Sequence, residues 1–296
     1  MKILITGANG FLGQHLTLFL SALQYDVMAV SRGENRIPAK EIFDYASLDL
    51  TDKNAVDYLV TSFRPDVIIH TAAMSKPDEC NNDKPRCILQ NVTTTKYLLE
   101  AVQNIMQPLF VYISTDFVFG ENGPHDEDEE KAPLNFYGES KLQSENLVEQ
   151  SGLPYAIVRP VFIYGETWEG LRPSFLHWVK NNLIQNKVIK VVSDQQRTPT
   201  FVLDICKGIE KIISLQKTGV YHLAGKNILS PYEMAMATAE ILGLNAALIE
   251  KVTSETFIEP VQRAKKSGLK IEKAINELGY NPVSFKEGIC HTFNIV

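Results

Sequence analysis

From Lys2 to about Arg159, short β-branched runs alternate with longer stretches whose apolar residues recur at helical spacing. Ile3–Thr6 predicts a buried strand and Phe11–Leu23 a helix. Asp26–Ser31 predicts a second strand, and Asp52–Phe63 a helix with Thr51 or Asp52 as its N-cap. Asp66–His70, Leu109–Ser114 and Tyr155–Val158 read as further strands, separated by helices over Arg86–Gln103 and Tyr137–Gln150. Strands this short and uniformly apolar suit a parallel sheet covered on both faces. The alternation implies right-handed crossovers and a doubly wound, Rossmann-type α/β fold.

Beyond Arg159 the rhythm loosens, and Pro160, Pro173, Pro199 and Pro231 punctuate shorter elements. Helices are expected near Ser174–Gln185, Val202–Leu215, Pro231–Leu242 and Lys270–Leu278, with a strand near Val188–Val192. The chain therefore divides into a dinucleotide-binding part, 1–159, and a smaller mixed substrate lobe, 160–296, some of whose segments return to the main sheet. The acidic run Asp126–Glu130 reads as a solvated loop, and whether it recruits a divalent ion stays open.

Composition narrows the class. The 296 residues are 45% hydrophobic and 22% charged, as expected of a globular protein. With 29 basic and 35 acidic side chains the formal charge is −6, which argues against a nucleic-acid binder. No run approaches the roughly 18 apolar residues that a membrane span needs, and no targeting segment is recognised. Cys80, Cys87, Cys206 and Cys290 form no CxxC pair, and the histidines lack metal-ligand spacing. The expectation is a cytoplasmic protein with reduced thiols and no metal centre. The assembly state is not encoded in these patterns, and a homodimer is kept open.

The first strand runs into Gly7-Ala8-Asn9-Gly10-Phe11-Leu12-Gly13 and then a helix. Glycines three apart at such a turn let the backbone bend, approach a pyrophosphate and pack closely against the strand, with the phosphates over the helix N-terminus. These seven residues are thus expected to bind a dinucleotide. The second strand ends Val30-Ser31-Arg32-Gly33, with no acid to hold ribose hydroxyls. Ser31 and Arg32 suit the 2′-phosphate of NADP(H), with NAD(H) as the alternative. Asp49 and Leu50 stand where an adenine edge is read.

Tyr137 and Lys141 lie four apart on a predicted helix and so on one face. An ammonium beside a phenol is expected to lower its pKa and make it an acid or base. Such a pair occurs about once by chance in a chain of this composition, so its position is what counts. It follows the strand ending in Ser114-Thr115-Asp116, at the sheet end where ligands bind, and Thr115 is placed to hydrogen-bond a substrate oxygen.

Taken together, the glycine turn, Thr71-Ala72-Ala73, Asn91-Val92, Ser114–Phe119 and Tyr137…Lys141 resemble an extended short-chain dehydrogenase/reductase. Ala132–Lys141, Thr198-Pro199-Thr200 and Arg263…Ser267-Gly268-Leu269…Lys273 narrow this to the dTDP-4-dehydrorhamnose reductase family, over nearly the whole chain. The resemblance implies a triad of Thr115, Tyr137 and Lys141. It further implies Lys141 on the nicotinamide ribose, Thr71–Ala73 beneath the cofactor, Asn91 nearby, and Pro160 with Val161 walling the nicotinamide. The implied reaction is NADPH-dependent reduction of the C4 ketone of a nucleotide-linked 6-deoxy sugar, as in dTDP-L-rhamnose biosynthesis.

Two departures concern the substrate. Val161 stands where the family is expected to place a sugar-contacting Trp. Arg197, in Gln195–Thr200, resembles the arginine that related nucleotide-sugar epimerases set on the diphosphate, although a surface charge fits it equally. An epimerase and a non-catalytic NADP-binding regulatory subunit are therefore the alternatives. Dehydratases of this superfamily are similar but carry Thr-Asp-Glu, and Phe117 occupies that third position here.

Overall fold

The computed structural model describes residues 1–103, 107–168, 170–257 and 259–295. Its centre is a seven-stranded parallel sheet. The strands are β1 (Lys2–Thr6), β2 (Asp26–Ser31), β3 (Asp44–Ser47), β4 (Val67–His70), β5 (Leu109–Ile113), β6 (Tyr155–Arg159) and β7 (Gly219–His222), in the spatial order β7-β6-β5-β4-β1-β2-β3. The expected doubly wound α/β architecture is the observed one.

Alternation along each strand builds two cores. Ile3 and Ile5 of β1 join Val67, Ile69, Val111 and Val158 against helix α1 (Phe11–Ala22) and the Val202–Ser214 helix on one face. Leu4, Ile68, Phe110 and Ile157 point the other way, onto α2 (Lys53–Phe63) and α3 (Thr94–Val102). Both faces are dry, so the strands read as continuous apolar runs. Strand β7 comes from the C-terminal half and pairs Val220 with Ile157 beside β6.

Several elements differ from expectation. The Arg86–Gln103 helix is interrupted: Lys84–Cys87 leads into a π-helical turn, Ile88–Thr93, before α3. There Thr94 and Thr95 hydroxyls donate to Gln90 O (2.7 Å) and Asn91 O (2.6 Å), back-bonding that bends helices. The acidic run is a tied loop and not a freely solvated one. Glu129 accepts from His125 at 2.7 Å, Glu127 accepts the backbone N–H of His222 at 3.0 Å, and Asp126 pairs with Lys270 at 2.6 Å. A terminal helix, Phe285–Phe293, was not anticipated; a reciprocal Ser284–Glu287 capping box starts it. No described helix is long and apolar enough to cross a membrane.

Candidate active site

A cleft of about 640 Å³ opens at the carboxyl ends of the central strands, where the strand order reverses between β1 and β4. Gly7, Asn9, Gly10, Phe11, Leu12 and Gly13 line it, followed by Ser31, Arg32, Asp49, Leu50, Thr71, Ala72, Ala73, Ser114, Thr115, Asp116, Tyr137, Lys141 and Pro160. Asn91, Val161 and Arg197 do not. Arg36, Ser75, Gln90, Thr94 and Phe162 line it as well, without having been singled out by any motif. Gln90 lies in the π turn and Thr94 directly after it, an irregularity not visible in local periodicity.

The glycine turn is required sterically. Gly7 adopts φ +70°, and a Cβ there would lie 2.6 Å from the backbone of Ala72. At Gly13 a Cβ would lie 2.4 Å from Gly7 O, so α1 packs directly onto the turn. Gly10 caps α1 with no side-chain acceptor, and the first turn carries no acid. Its free N–H groups therefore face the cleft, a cradle suited to an anion.

Asn9 serves the protein itself. Its amide donates to Glu34 O (2.9 Å), Arg32 O (3.3 Å) and Tyr45 Oη (3.0 Å), and its carbonyl accepts from the Arg36 N–H (3.0 Å). It knits the segment after β2 onto the glycine turn, so its side chain is not free for a ligand. Asp49 is likewise engaged, accepting from Thr51 N–H (3.0 Å) and its hydroxyl (2.9 Å), contacts that lower its pKa.

The end of the cleft that holds Tyr137 is built by α4 (Phe136–Glu149). Asn135 caps it, accepting from Gly138 N–H at 3.1 Å. Gly138 lets the helix meet the Thr115–Phe119 turn, because a Cβ there would sit 2.2 Å from Phe117 O. Tyr137 is thereby set edge-on to Phe117 (5.5 Å) and lines the cleft together with Thr115, whose hydroxyl opposes the rise of its pKa. The Thr115 hydroxyl also lies 3.2 Å from Asp116 Oδ1. Ser114 lines the cleft wall, and its Oγ is buried with no hydrogen-bond partner among the described residues.

The electrostatics correct one expectation. Lys141 does not lower the phenol's pKa: its ammonium donates to Ile113 O at 2.7 Å and stands 4.1 Å from the Tyr112 ring centre. Burial pushes Tyr137 up and pushes Lys141 down to about 7. A buried phenol held protonated is a proton donor, so the pocket favours acid chemistry at Tyr137.

The model of the family described as RmlD substrate binding domain matches residues 1–296. The chain belongs to this RmlD family. It is 29% identical to the spore coat polysaccharide biosynthesis protein SpsK of Bacillus subtilis, over 97% of this chain and 95% of that one. The beta subunit of methionine adenosyltransferase 2 from Bos taurus is 31% identical, over 87% of this chain and 77% of its own. In structure, the chain is similar to the dTDP-4-dehydrorhamnose reductase of Bacillus anthracis in complex with NADP. That comparison has a TM-score of 0.86 and 28% identity, covering 100% of this chain and 99% of the other.

Three residues singled out by family resemblance lie outside the cleft: Asn91 and Val161 from the reductase pattern, and Arg197 from the likeness to epimerases. Asn91 is buried, accepting from Met74 N–H (2.7 Å) and donating to Met74 O (3.1 Å) and Ser140 Oγ (2.9 Å). It braces α4 from behind. Val161 is 1% exposed in the core, and the neighbouring Phe162, at φ +41°, presents the aromatic ring to the cleft instead. Arg197 turns back on its own loop, donating to Gln196 O (2.7 Å) and Gln195 Oε1 (3.0 Å), and lines a small cavity that adjoins the cleft at Asp116 and Phe117. Among the described residues, no group of three His, Cys, Asp or Glu side chains is arranged to hold a metal.

Proposed function

We propose that this RmlD-family chain is an NADPH-dependent reductase of the C4 ketone of a nucleotide-linked 6-deoxy sugar. The observation that carries the reading is the meeting of Thr115 and a protonated, buried Tyr137 in the cleft that contains the glycine cradle. The amides of Phe11–Gly13 hold the diphosphate, Ser31 and Arg32 the adenosine phosphate, and Thr71–Ala73 with Pro160 flank the nicotinamide. When bound, NADPH supplies the hydride. Thr115 and Ser114 orient the ketone oxygen, and Tyr137 gives its proton to that oxygen as the carbonyl carbon is reduced, yielding the alcohol. Lys141, with further N–H donors beyond the one on Ile113 O, holds the nicotinamide ribose. In this reading 1–159 is the cofactor half and 160–296 mainly the substrate lobe.

One observation favours a second reading, an NADP-binding regulatory subunit: the likeness to methionine adenosyltransferase 2 subunit beta. A panel of keto-sugar nucleotides with NADPH, followed by nicotinamide absorbance, separates the two. The reductase reading expects consumption by wild type and a loss of about 10²-fold or more in Tyr137→Phe with NADPH binding intact. NADPH binding by both proteins without consumption on any keto-sugar favours the regulatory reading.

A further inference from the structure

At the adenosine end of the cleft, Arg32 is a compromised cation. Its guanidinium lies 3.9 Å from the Asp49 carboxylate, so a phosphate docking there meets a negative charge as well as a positive one. The fold brings a second arginine to the same place. Arg36 lines the cleft with Ser31 and Arg32, and among the described residues it has no carboxylate partner.

Arg36 is also held from both sides. Its backbone N–H donates to Asn9 Oδ1 at 3.0 Å, which ties it to the glycine turn. Tyr45 supports the same knot, donating to Gly33 O at 2.9 Å. From the other side, Arg36 Nη1 donates to Gly170 O at 3.3 Å. Gly170 has φ +79°, and a Cβ there would come within 3.2 Å of Arg36 Cδ, so the glycine leaves room for the arginine stem. One of five N–H donors is spent on Gly170, and the remaining fork suits a phosphate.

We propose that Arg36 is a specificity-determining residue, which with Ser31 and Arg32 binds the 2′-phosphate of NADP(H) and sets preference over NAD(H). The proposal rests on the dinucleotide reading of the cleft but not on any sugar substrate. The pyrophosphate is the other anion within the same cleft, and it is common to both cofactors. Selectivity therefore separates the two sources of negative charge.

The test titrates the full chain separately with NADPH and NADH, following nicotinamide fluorescence, in wild type, Arg36→Gln, Arg36→Lys and Arg32→Gln. Thermal melting of each variant verifies folding. Wild type is expected to prefer NADPH. Arg36→Gln raises its NADPH Kd about tenfold or more and leaves the NADH Kd within about twofold, since one charge-assisted fork is lost. Arg36→Lys recovers part of the loss, and Arg32→Gln costs less than Arg36→Gln. Equal weakening of both cofactors in Arg36→Gln assigns the residue to the pyrophosphate and overturns the proposal, as does unchanged NADPH binding. If wild type binds NADH as well as NADPH, the dinucleotide reading stands and the Arg36 assignment fails. If it binds neither, the dinucleotide reading itself fails.

Discussion

Lys141 is 3% exposed, and what surrounds its ammonium is Ile113 O, the face of Tyr112 and, one helical turn on, the carboxylate of Glu145. Burial lowers its pKa to about 7 from the ordinary 10.5, with Glu145 opposing the shift. Between those two values the unfolded chain keeps a proton that the folded chain has released. Lys141 alone therefore makes the unfolding free energy rise by about 1.4 kcal/mol per pH unit across that window. Below it the cost of burying the charge is complete. Tyr137, shifted upward, stays protonated in both states over most of the window and adds little slope. Urea unfolding of wild type and Lys141→Met between about pH 7 and 9 measures this directly. The variant should lose about 1.4 kcal/mol per pH unit of that slope, with Cys87, whose thiol pKa is also lowered, accounting for any rise that remains. Parallel slopes in the two proteins would contradict the burial of a titrating amine.

At the scale of elements, a few backbone contacts place the chemistry. The β1–α1 turn closes because Gly13 lies on Gly7 O, and α4 begins where Gly138 lies on Phe117 O. Gly13→Ala forces a Cβ to 2.4 Å from that carbonyl oxygen. It is expected to cost about 1–3 kcal/mol in urea unfolding, as overpacking does, and to weaken NADPH binding because the cradle opens. Unchanged stability and NADPH affinity would mean that the turn is not a phosphate cradle. Elements of this kind were legible locally: the glycine spacing, the strand Asp26–Ser31 and the Asp52 cap, which accepts from Ala55 N–H at 3.2 Å, are all written in neighbouring residues. What was not legible depends on distant partners. Glu127 is fixed by His222 and Asp126 by Lys270, so their charge pattern alone read as solvated. Arg36 enters the cleft through Asn9 and Gly170, and Phe162 takes the cleft position because Val161 is drawn into the core. The π turn is accompanied by threonine back-bonding from Thr94 and Thr95, and the helical spacing of the sequence carries no mark of it.

In the whole molecule the two halves of the chain meet around the cleft. Arg159, at the end of β6, is fully buried and grips Glu145 of α4 with two hydrogen bonds of 2.9 and 2.7 Å, while Phe119 stacks beneath it. This clamps the helix carrying Tyr137 to the sheet. From the C-terminal half, Ser267 donates to Asp116 at 2.5 Å, and Arg263 Nη2 donates to both carboxylate oxygens of Asp78 at 2.9 and 3.0 Å. These contacts anchor the C-terminal half beside Thr115, and in the proposed reductase reading a carbonyl reaching the phenol lies between two halves that are already joined. Reduction across this gap is most directly tested with NADPH deuterated at either face of the nicotinamide C4, a dTDP-4-keto-6-deoxy sugar, and mass analysis of the sugar product. The account predicts a single deuteron at C4 of the sugar from one labelled face and none from the other. Tight NADPH binding with no label reaching the sugar from either face would contradict it.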